Sequence, residues 1–530
     1  MSRHLFFIFT LCLPAILWAD PAAEINRLAP PALRDTYATR QFAPLWLEGD
    51  KPSTRATQAL ELMNQAEFDG LQASDYALPA LQQSLTTLQQ QSGSDTQLAA
   101  FDLAMSGALT HYASDLYLGR ADPRQMGMAI DTNTKRAALP QHLQTVLNAT
   151  DLTGALATLR PTIPPYTDLR RLLVKYRTLA TQHPSAPVLP PLPSKKLVAN
   201  STWDGTPALT NWLITLGYLP ANTTATTQYD DAVVEGVKRF QQQHGQIPDG
   251  VIGKQTYANL LVSLPQRVQQ IELAMERLRW IDDSVLQKRF LLINIPQFTL
   301  WAYAPDANQQ PKAVLQMPVV VGKALRHQTP AMTKTLSALV FNPYWNVPRS
   351  IATKELLPQL YDNPFYLARQ GMELVDGSGR SIGSEVGEAE YNAILNGGAR
   401  IRQRPGSQNA LGSLKFVFPN DDAIYMHDTP SKSFFAKERR DLSHGCVRLG
   451  NPMALALFVL QSQNGGWDEE RIRNKLANSH DQHLSLGEKL PVLLLYFTAT
   501  ADDKGEAIFL QDIYQRDNKL AALITAHRAH

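Results

Sequence analysis

The segment RDLSHGCVRL contains Cys446, the one cysteine that lies outside the first twenty residues of the chain. A cysteine acts as a nucleophile in its thiolate form, and a neighbouring imidazole can accept the thiol proton. His444 stands two residues before Cys446, and His427 lies upstream in the segment YMHDTP. A base on another strand has more freedom to approach the sulfur than a residue of the same segment. The sequence therefore predicts a cysteine nucleophile at Cys446, with His427 as its general base.

A single cysteine can be an inert buried side chain, half of an intermolecular disulfide, or a nucleophile. The neighbours of Cys446 favour the nucleophile. Gly445 has no Cβ and lets a substrate carbonyl approach the backbone, where the N–H of Cys446, together with that of Gly445, can donate to a developing oxyanion. Arg448 can bind a carboxylate through paired hydrogen bonds, although an ordinary surface salt bridge is the alternative for that residue.

The length and the charge of the chain narrow the classes of partner. At 530 residues it is long enough for about three domains. Its formal charge is +2, from 50 basic and 48 acidic side chains, so no strong field attracts nucleic acid and no nucleic-acid partner is predicted. Residues 1–19 combine Arg3, an apolar run and Ala19, which is the pattern of a secretory signal peptide; an uncleaved membrane tether is the alternative.

Composition and periodicity divide the chain into segments. Apolar residues at spacings of three and four predict helices in the first third, and five prolines from Pro184 to Pro193 predict an extended linker. From Arg289 the apolar period changes to two, which predicts strands. We therefore expect a multidomain α+β protein with these parts: a signal peptide (1–19), a helical N-terminal scaffold domain (20–182), a proline-rich linker (183–198), a small three-helix module (199–264), a β-rich domain (265–500) with an inserted subdomain (349–404), and a C-terminal helical extension (501–530).

The three-helix module has a pattern of its own. The string AVVEGVKRFQQQHGQIPDGVIGKQTYANL combines a Phe-Gln pair, a glycine, an Asp-Gly turn, a further glycine and a threonine. It resembles the second half of the small helical peptidoglycan-binding module, and LTNWLITLGYLP is similar to the first half. A plain turn between two helices is the alternative. The resemblance implies weak binding of a glycan-peptide polymer, which raises the local concentration of substrate.

The cysteine motif also resembles that of a known family. YMHDTP, followed downstream by SHGCVRL, resembles the catalytic signature of the L,D-transpeptidases. The resemblance implies that Cys446 is the nucleophile and His427 the general base. It further implies that the pocket with its oxyanion site is formed by Ser443, His444 and Gly445. The substrate is implied to be bound by Arg448, Tyr425 and Trp345.

Over most of its length the chain resembles the large periplasmic L,D-transpeptidases of Gram-negative bacteria, on the segments FAPLWLEGD, YLGRADP and NPYWNVP as well as the motifs above. The resemblance implies a periplasmic enzyme without a metal or an organic cofactor. Its expected partner is peptidoglycan, with a tetrapeptide stem as donor and an amine of a second stem as acceptor. Cys446 is expected to form a thioester as D-alanine leaves, a 3→3 cross-link is expected to follow, and carbapenems are expected to acylate the same thiol. Other cell-wall synthesis proteins are further candidate partners.

Several alternatives share part of this pattern. Hydrolysis of the same thioester would make a carboxypeptidase, and its transfer to a protein amine would make an anchoring enzyme. Both use every residue named above. A non-catalytic wall-binding scaffold is disfavoured because it has no use for the cysteine motif. A papain-like protease is disfavoured because its cysteine precedes its histidine in the chain, whereas here His427 comes first.

The inserted subdomain interrupts the strands between NPYWNVP and the strand that carries His427, so both of its ends are expected near the site. Its glycines offer hinge positions, and NPFYLARQGM offers an amphipathic surface. We expect a capping lid that closes over the donor stem and keeps water from the thioester. A surface insertion without a role in catalysis is the alternative.

Overall fold

The computed structural model describes residues 20–478 and 480–527. They form two compact units. One contains the described residues up to Tyr117 together with Ala137–Arg160, and the other contains Leu118–Arg136 and the described residues from Pro161 onward. The predicted signal peptide lies outside the described residues. Within those residues, no helix combines the length and the apolar character that a membrane crossing requires.

The first unit is mainly helical, as the apolar spacing predicted. It contains all or most of each of these elements: α1 (Pro21–Leu28), α2 (Pro31–Ala38), β1 (Leu47–Glu48), β2 (Lys51–Pro52), α3 (Thr54–Asn64), α4 (Leu78–Gln90), α5 (Asp95–Leu118), α6 (Asn133–Asn148) and α7 (Leu152–Ala157). Asp102 is buried on α5 and accepts hydrogen bonds from the Tyr37 hydroxyl (2.5 Å) and from the N–H groups of Leu45 (3.0 Å) and Trp46 (2.7 Å). These bonds satisfy the buried carboxylate and fasten the Leu45–Trp46 backbone to the helix.

The second unit begins with helices. They are α8 (Pro164–Gln182), α9 (Thr206–Thr215), α10 (Asp231–Gln242), α11 (Lys254–Leu260) and α12 (Leu264–Leu278), of which α9–α11 form the three-helix module. Helix α10 starts after Asp230, whose side chain accepts from the N–H of Val233 (3.0 Å), and it buries Val237 and Phe240 on one face. The predicted three-helix module is confirmed.

The proline-rich segment is packed onto this module. The Tyr257 hydroxyl donates to the carbonyl of Leu189 (3.0 Å), and the indole N–H of Trp203 donates to the carbonyl of Pro191 (3.0 Å). Residues 183–196 form neither helix nor strand. Because the backbone of the segment is held by these side chains, it is not a free spacer.

The module and the β-rich domain share one hydrophobic core. The N–H of Phe509 donates to the carbonyl of Gln243 (2.8 Å), and the Phe509 ring lies 5.8 Å from the ring of His244. The guanidinium of Arg267 lies 4.8 Å from the centre of the same phenyl ring. Buried side chains of both parts belong to a single cluster. Deleting the module would therefore expose the core of the β-rich domain, and its role is better tested by point substitutions.

The remaining strands and helices complete the second unit. The strands are β3 (Phe290–Asn294), β4 (Thr299–Pro305), β5 (Pro311–Gly322), β6 (Met332–Phe341), β7 (Trp345–Asn346), β8 (Met372–Val375), β9 (Ser381–Gly383), β10 (Arg400–Gln403), β11 (Leu414–Val417), β12 (Met426–His427), β13 (Asp441–Ser443), β14 (Val447–Leu449), β15 (Gln482–Leu495), β16 (Ala499–Ala501) and β17 (Ala507–Phe509). The helices are α13 (Arg349–Ile351), α14 (Leu357–Asp362), α15 (Tyr366–Arg369), α16 (Glu388–Asn396), α17 (Pro452–Leu460), α18 (Glu469–Ala477) and α19 (Asp517–His527).

A nine-stranded sheet forms the centre of the β-rich domain, in the order β13-β5-β14-β12-β11-β6-β15-β3-β4. Strand β5 also pairs with β4, so the sheet closes on itself and few of its edges stay unpaired. Strands β12 and β14 are parallel neighbours within it. Their side chains Met426 and Val447 are fully buried in the core, so the residues that alternate with them face the other side of the sheet.

The inserted subdomain has a core of its own. Its strands pair with β7 in a separate four-stranded sheet, β7-β10-β8-β9. Leu356, Leu374, Ile394 and Ile401 are buried in a cluster distinct from the core of the large sheet. A π-helical turn, Ala352–Leu356, joins α13 to α14. The insert is thus a small folded body and can present a defined surface, which an irregular loop could not.

The C-terminal segment differs from the sequence prediction. A helical extension was expected over 501–530, whereas the structure has the hairpin β16–β17 at its start and a helix, α19, only from Asp517. The strand forms because Ala507 and Phe509 alternate with the less buried Ile508 and pack into the core. This segment proves to support the cysteine motif.

Candidate active site

Three strands present polar side chains on one face of the large sheet. Strand β12 pairs with β14 so that Met426 is opposite Val447 and His427 is opposite Arg448. Strand β11 pairs with β12 so that Lys415 is opposite His427. Because side chains alternate along a strand, Lys415, His427 and Arg448 share the face that lies opposite to the buried Met426 and Val447.

Cys446 and Tyr425 extend this group by one pleat. Cys446 directly precedes β14, and the N–H of Val447 donates to the carbonyl of Tyr425 (3.0 Å), which places Cys446 beside Tyr425. Each lies two residues before a member of the polar face, so each projects to that face. Cys446 is therefore a diagonal neighbour of His427 across two paired strands. The prediction that Cys446 is the nucleophile and His427 its base stays a prediction, and this arrangement on neighbouring strands is the geometry on which it rests.

The turn that carries Cys446 requires a glycine. Gly445 has a φ of +116°, and a Cβ at that position would lie 3.1 Å from Cδ1 of Ile424. The hydroxyl of Ser443 donates to the carbonyl of Cys446 (2.6 Å) and accepts from the N–H of Gly445 (3.1 Å). The Gly445 N–H is thus used inside the turn, which corrects its predicted role as a second oxyanion donor. Among the described residues the Cys446 N–H has no acceptor, and it is the donor that remains for an oxyanion.

A buried network supports this turn. The hydroxyl of Thr329 donates to the carbonyl of Gly445 (2.6 Å) and accepts from the N–H of Gly322 (2.9 Å). The hydroxyl of Tyr514 donates to the carbonyl of Gly322 (2.6 Å) and accepts from the N–H of Thr329 (3.2 Å). A Cβ at Gly322 would overlap with the carbonyl of His327. The C-terminal segment therefore helps to fix the backbone that presents Cys446.

His427 is oriented as a base. It is buried, with 4% of its surface exposed, and its Nδ1 lies 2.5 Å from the carbonyl oxygen of Asp428. A carbonyl can only accept, so Nδ1 carries the proton and Nε2 of the neutral ring is free to take another. Burial, followed by the positive charge of Arg448, lowers the pKa of His427 to about 3. The imidazole is therefore neutral at pH 7.

The thiol of Cys446 is protonated in the resting site. Burial raises the pKa of Cys446, while Tyr425, Lys415 and Arg448 all act in the opposite direction. The ammonium of Lys415 lies 4.0 Å from the centre of the Tyr425 ring, and burial lowers the pKa of that lysine. The site therefore holds a neutral thiol beside a neutral imidazole. Its three polar neighbours are placed to stabilise the thiolate once the proton has moved.

Arg448 is not part of a surface salt bridge. Its guanidinium lies 5.6 Å from the centre of the Phe434 ring, and its Nε is buried without an acceptor. Within residues 20–478 and 480–527 no carboxylate pairs with it. Burial lowers the pKa of Arg448, and the neighbouring Cys446 raises it. The charge of Arg448 is therefore available to the sulfur or to a substrate carboxylate.

His444 has a different partner. Its Nε2 lies 2.6 Å from Oε1 of Glu355, and its ring centre lies 4.9 Å from that of His327. A carboxylate accepts, so the Nε2 of His444 carries a proton. Glu355 belongs to the π-helical turn of the inserted subdomain. This contact joins the insert to the cysteine motif one residue before Gly445.

The structure gathers most, but not all, of the predicted site residues. Trp345 lies in β7, opposite Gln403, and packs against the core of the insert; no contact within the described residues links it to Cys446. Its role in substrate binding stays a prediction. Lys415 and Glu355 also belong to the site but were not predicted from the sequence. Lys415 gave one signal, a lysine between two apolar residues of a short predicted strand, but Glu355 lies in a helical stretch without any motif.

Known protein families match three parts of the chain. Residues 31–173 match a "Scaffold domain", residues 204–260 a "Putative peptidoglycan binding domain", and residues 288–461 an "L,D-transpeptidase catalytic domain". The last range contains Cys446, His427 and the inserted subdomain. This chain carries an L,D-transpeptidase catalytic domain. It also carries a peptidoglycan-binding domain, so both resemblances seen in the sequence are confirmed.

One curated protein and several solved structures are similar to parts of this chain. A Haemophilus influenzae protein named "Putative L,D-transpeptidase" is 32% identical over 273 residues, which are 50% of this chain and 53% of that protein. The chain thus matches about half the length of this curated relative. The solved structure of an L,D-transpeptidase from Xylanimonas cellulosilytica (residues 123–326) is 15% identical; the match covers 58% of this chain and 100% of that one, with a TM-score of 0.18. The solved structure of an L,D-transpeptidase from Stackebrandtia nassauensis is 13% identical; the match covers 57% of this chain and 97% of that one, with a TM-score of 0.20.

Proposed function

We propose that the protein is an L,D-transpeptidase that forms 3→3 cross-links in peptidoglycan through a thioester at Cys446. The observation that carries the proposal is the diagonal position of Cys446 and His427 on paired strands, with the Nε2 of His427 free to accept a proton. The peptidoglycan-binding domain and the catalytic domain support peptidoglycan as the substrate.

The first step is acyl transfer to the enzyme. The Cys446 thiol gives its proton to Nε2 of His427, and the sulfur attacks the carbonyl carbon that joins the L-centre of diaminopimelate, third in the donor stem, to D-alanine. The N–H of Cys446 donates to the oxyanion, and Lys415 and Arg448 lower the cost of negative charge at the sulfur. As the C–N bond breaks, His427 returns the proton to the leaving amine. D-alanine departs and a thioester remains.

The second step consumes the thioester. An amine of a second stem attacks the carbonyl, the C–S bond breaks, and His427 transfers the amine proton to the departing sulfur. The products are a 3→3 cross-link and the original thiol. Arg448 lacks a carboxylate partner in the described structure, and in this proposal it binds a carboxylate of the substrate. A carbapenem would acylate the same sulfur.

The inserted subdomain acts as a lid in this proposal. Two observations support that role: its own hydrophobic core, and the hydrogen bond that His444, beside the nucleophile, donates to Glu355. A lid that stays closed while the thioester exists keeps water out and favours an amine acceptor. Products therefore report on the lid, because hydrolysis gives tripeptides and transfer gives dimers.

Hydrolysis is the second candidate activity, since Cys446 is partly exposed and water can reach a thioester there. The test is mass spectrometry of purified disaccharide-tetrapeptides after incubation with the mature protein. Dimers that lack one D-alanine are the expected product. Tripeptides alone would instead show that the protein is a carboxypeptidase. If no stem peptide gave any product, the non-catalytic wall-binding scaffold would be favoured.

The site of action in this proposal is the periplasm. It rests on the signal-peptide pattern of residues 1–19. Fractionation of cells that express the full chain should recover the protein, shortened by the signal peptide, in the periplasmic fraction. Recovery of the full-length chain with membranes would support the uncleaved tether instead. Interaction with other cell-wall synthesis proteins is testable by crosslinking in the same cells.

A further inference from the structure

A cavity lies on the outer face of the closed sheet. Its volume is about 670 Å³, and its floor is formed by Trp301 and Tyr303 of β4 and by Gln316 of β5. Trp301 is opposite Gln316 in the β4–β5 pairing. Trp301 and Tyr303 alternate with Leu300 and Ala302, which are fully buried in the core, so both aromatic side chains face outward.

The cavity has fixed walls. One wall is α8, which contributes Asp168 and Arg171, and the other is the turn of the β16–β17 hairpin, which contributes Asp503 and Lys504. The guanidinium of Arg171 donates to the carbonyl of Gly505 and so ties the two walls together. Residues 204–260, the peptidoglycan-binding domain, line no part of it.

The lining has the chemistry of a sugar site. The Tyr303 ring is held parallel to that of Phe290, with centres 4.7 Å apart and an angle of 8°, so the aromatic floor is ordered. A pyranose ring has an apolar face that packs on an aromatic ring and hydroxyl and amide groups at its edge that need polar partners. Here Gln316 and the side chains of both walls offer those partners, and their charges of both signs suit a neutral ligand.

Strand β5 connects the cavity to the cysteine motif. Val320 of β5 is opposite Arg448, and Gly322 is opposite Ser443. Gln316 precedes Gly322 by six residues, which correspond to roughly 20 Å along a strand. A donor stem whose third carbonyl is at Cys446 extends roughly 11 Å over its three residues. The γ-linkage of its glutamate and the lactyl arm of the sugar add further length, so the span from Cys446 to the sugar is of the same order as the distance along β5.

We propose that the cavity between β4, β5, α8 and the β16–β17 turn binds a hexosamine unit of the peptidoglycan glycan strand that carries the donor stem. The inference rests on the proposed function for the identity of its ligand, because the glycan is part of the same substrate. It gives the enzyme a glycan site on the catalytic domain itself, in addition to the peptidoglycan-binding domain. The sugar would then fix the direction from which the stem approaches Cys446.

The test is a calorimetric titration of the full chain with chitotetraose, a soluble β-1,4-linked N-acetylglucosamine tetramer. Trp301→Ala should weaken binding at one site by roughly three- to tenfold, the loss expected for an aromatic contact. Trp467→Ala is the matched control, since Trp467 lines a different cavity and stacks on Phe341. Its affinity should equal that of the wild type.

Two further variants guard against misfolding. Gln316→Ala and Asp503→Ala remove hydrogen-bonding groups from exposed side chains and leave the aromatic floor intact, and each should also weaken binding. The ratio of KM for a disaccharide-tetrapeptide to KM for the free tetrapeptide should rise in all three variants. Unchanged affinity in all three, or no binding of chitotetraose by the wild type, would overturn the glycan site. Release of D-alanine from the free tetrapeptide tests the proposed function without any sugar, so the two failures are distinguishable.

Discussion

The two sides of the active site are built in different ways. On one side His427 and Lys415 lie on paired strands of a closed sheet, and Cys446 directly precedes the strand beside His427. The strand register and the alternation of side chains fix which face each of them projects to. On the other side one hydrogen-bonded pair, Glu355 with His444, joins the motif to a subdomain that has a core of its own. The proposed chemistry is thus placed on the closed sheet, and the proposed control of access is placed on a part that has its own core.

The largest expected effect comes from the base on the closed sheet. His427→Ala should lower the rate of D-alanine release by a factor on the order of 10² to 10⁴, because no other group takes the thiol proton. His444→Ala should cost less, because His444 is bonded to Glu355 and contributes through the insert. Release of D-alanine from a disaccharide-tetrapeptide measures both.

His480→Ala, which changes an exposed histidine, is the control and should keep the wild-type rate. A greater loss in His444→Ala than in His427→Ala would reverse the assignment of the base.

The second prediction concerns the positive charge of Lys415 near the Cys446 sulfur. Lys415 lowers the pKa of Cys446, so Lys415→Met should raise it further and reduce the thiolate fraction at any pH below that pKa. A rise of one unit corresponds to roughly tenfold slower alkylation at neutral pH. In wild type and variant alike the rate should climb with pH beyond the range of an ordinary thiol, with the variant's curve displaced to higher pH. Iodoacetamide rates between pH 6 and 10 provide the measurement.

Lys312→Met, on an exposed part of β5, should leave the alkylation curve in place. A curve for Lys415→Met that moves to lower pH, or not at all, would remove the lysine from the account of the thiolate.

A smaller effect is expected from the inserted subdomain. Glu355→Ala breaks the bond to His444 and should shift products from dimers toward tripeptides by a few-fold, as expected of a lid that opens more often. Alkylation of Cys446 by a small reagent should change little. Glu355→Gln, which keeps a hydrogen-bond acceptor, should restore most of the dimer fraction.

Glu385→Ala is the matched control within the insert. An unchanged ratio of dimer to tripeptide in Glu355→Ala would remove this contact from the lid mechanism and leave the insert as a surface addition.

The smallest expected effect is on stability. Tyr514→Phe removes the hydroxyl that bonds to Gly322 and Thr329 beneath the cysteine turn. Two buried backbone groups lose a partner, which should lower the free energy of unfolding by about 1–3 kcal/mol. Urea denaturation measures this, with Tyr361→Phe, at a largely exposed tyrosine, as the control. Equal midpoints for Tyr514→Phe and the wild type would contradict the supporting role of the network.

The sequence was most informative where chemistry is local. Cys446, Gly445 and His427 stand in short motifs, and the alternation of β12 and β14 puts the thiol and the base on one face, so both could be predicted. Lys415, Glu355 and Tyr514 could not, because each reaches the site through pairing or packing between distant segments.

Properties that depend on burial were also hidden from the sequence. The sequence predicted a thiol activated by its neighbours, but not that burial raises the pKa of Cys446. It predicted a linker from the prolines, but not that Tyr257 and Trp203 hold that segment in place. It offered the Gly445 N–H as a donor, and only the structure shows that Ser443 already accepts from it.

The most direct test of the central claim is the intact mass of the enzyme during turnover. The wild type, quenched with acid while it consumes a disaccharide-tetrapeptide, should carry an adduct equal to the substrate minus D-alanine, and peptide mapping should place it on Cys446. Cys446→Ala should form no adduct and release no D-alanine, and His427→Ala should form the adduct far more slowly. Release of D-alanine by Cys446→Ala at the wild-type rate, or an adduct on another residue, would contradict the account.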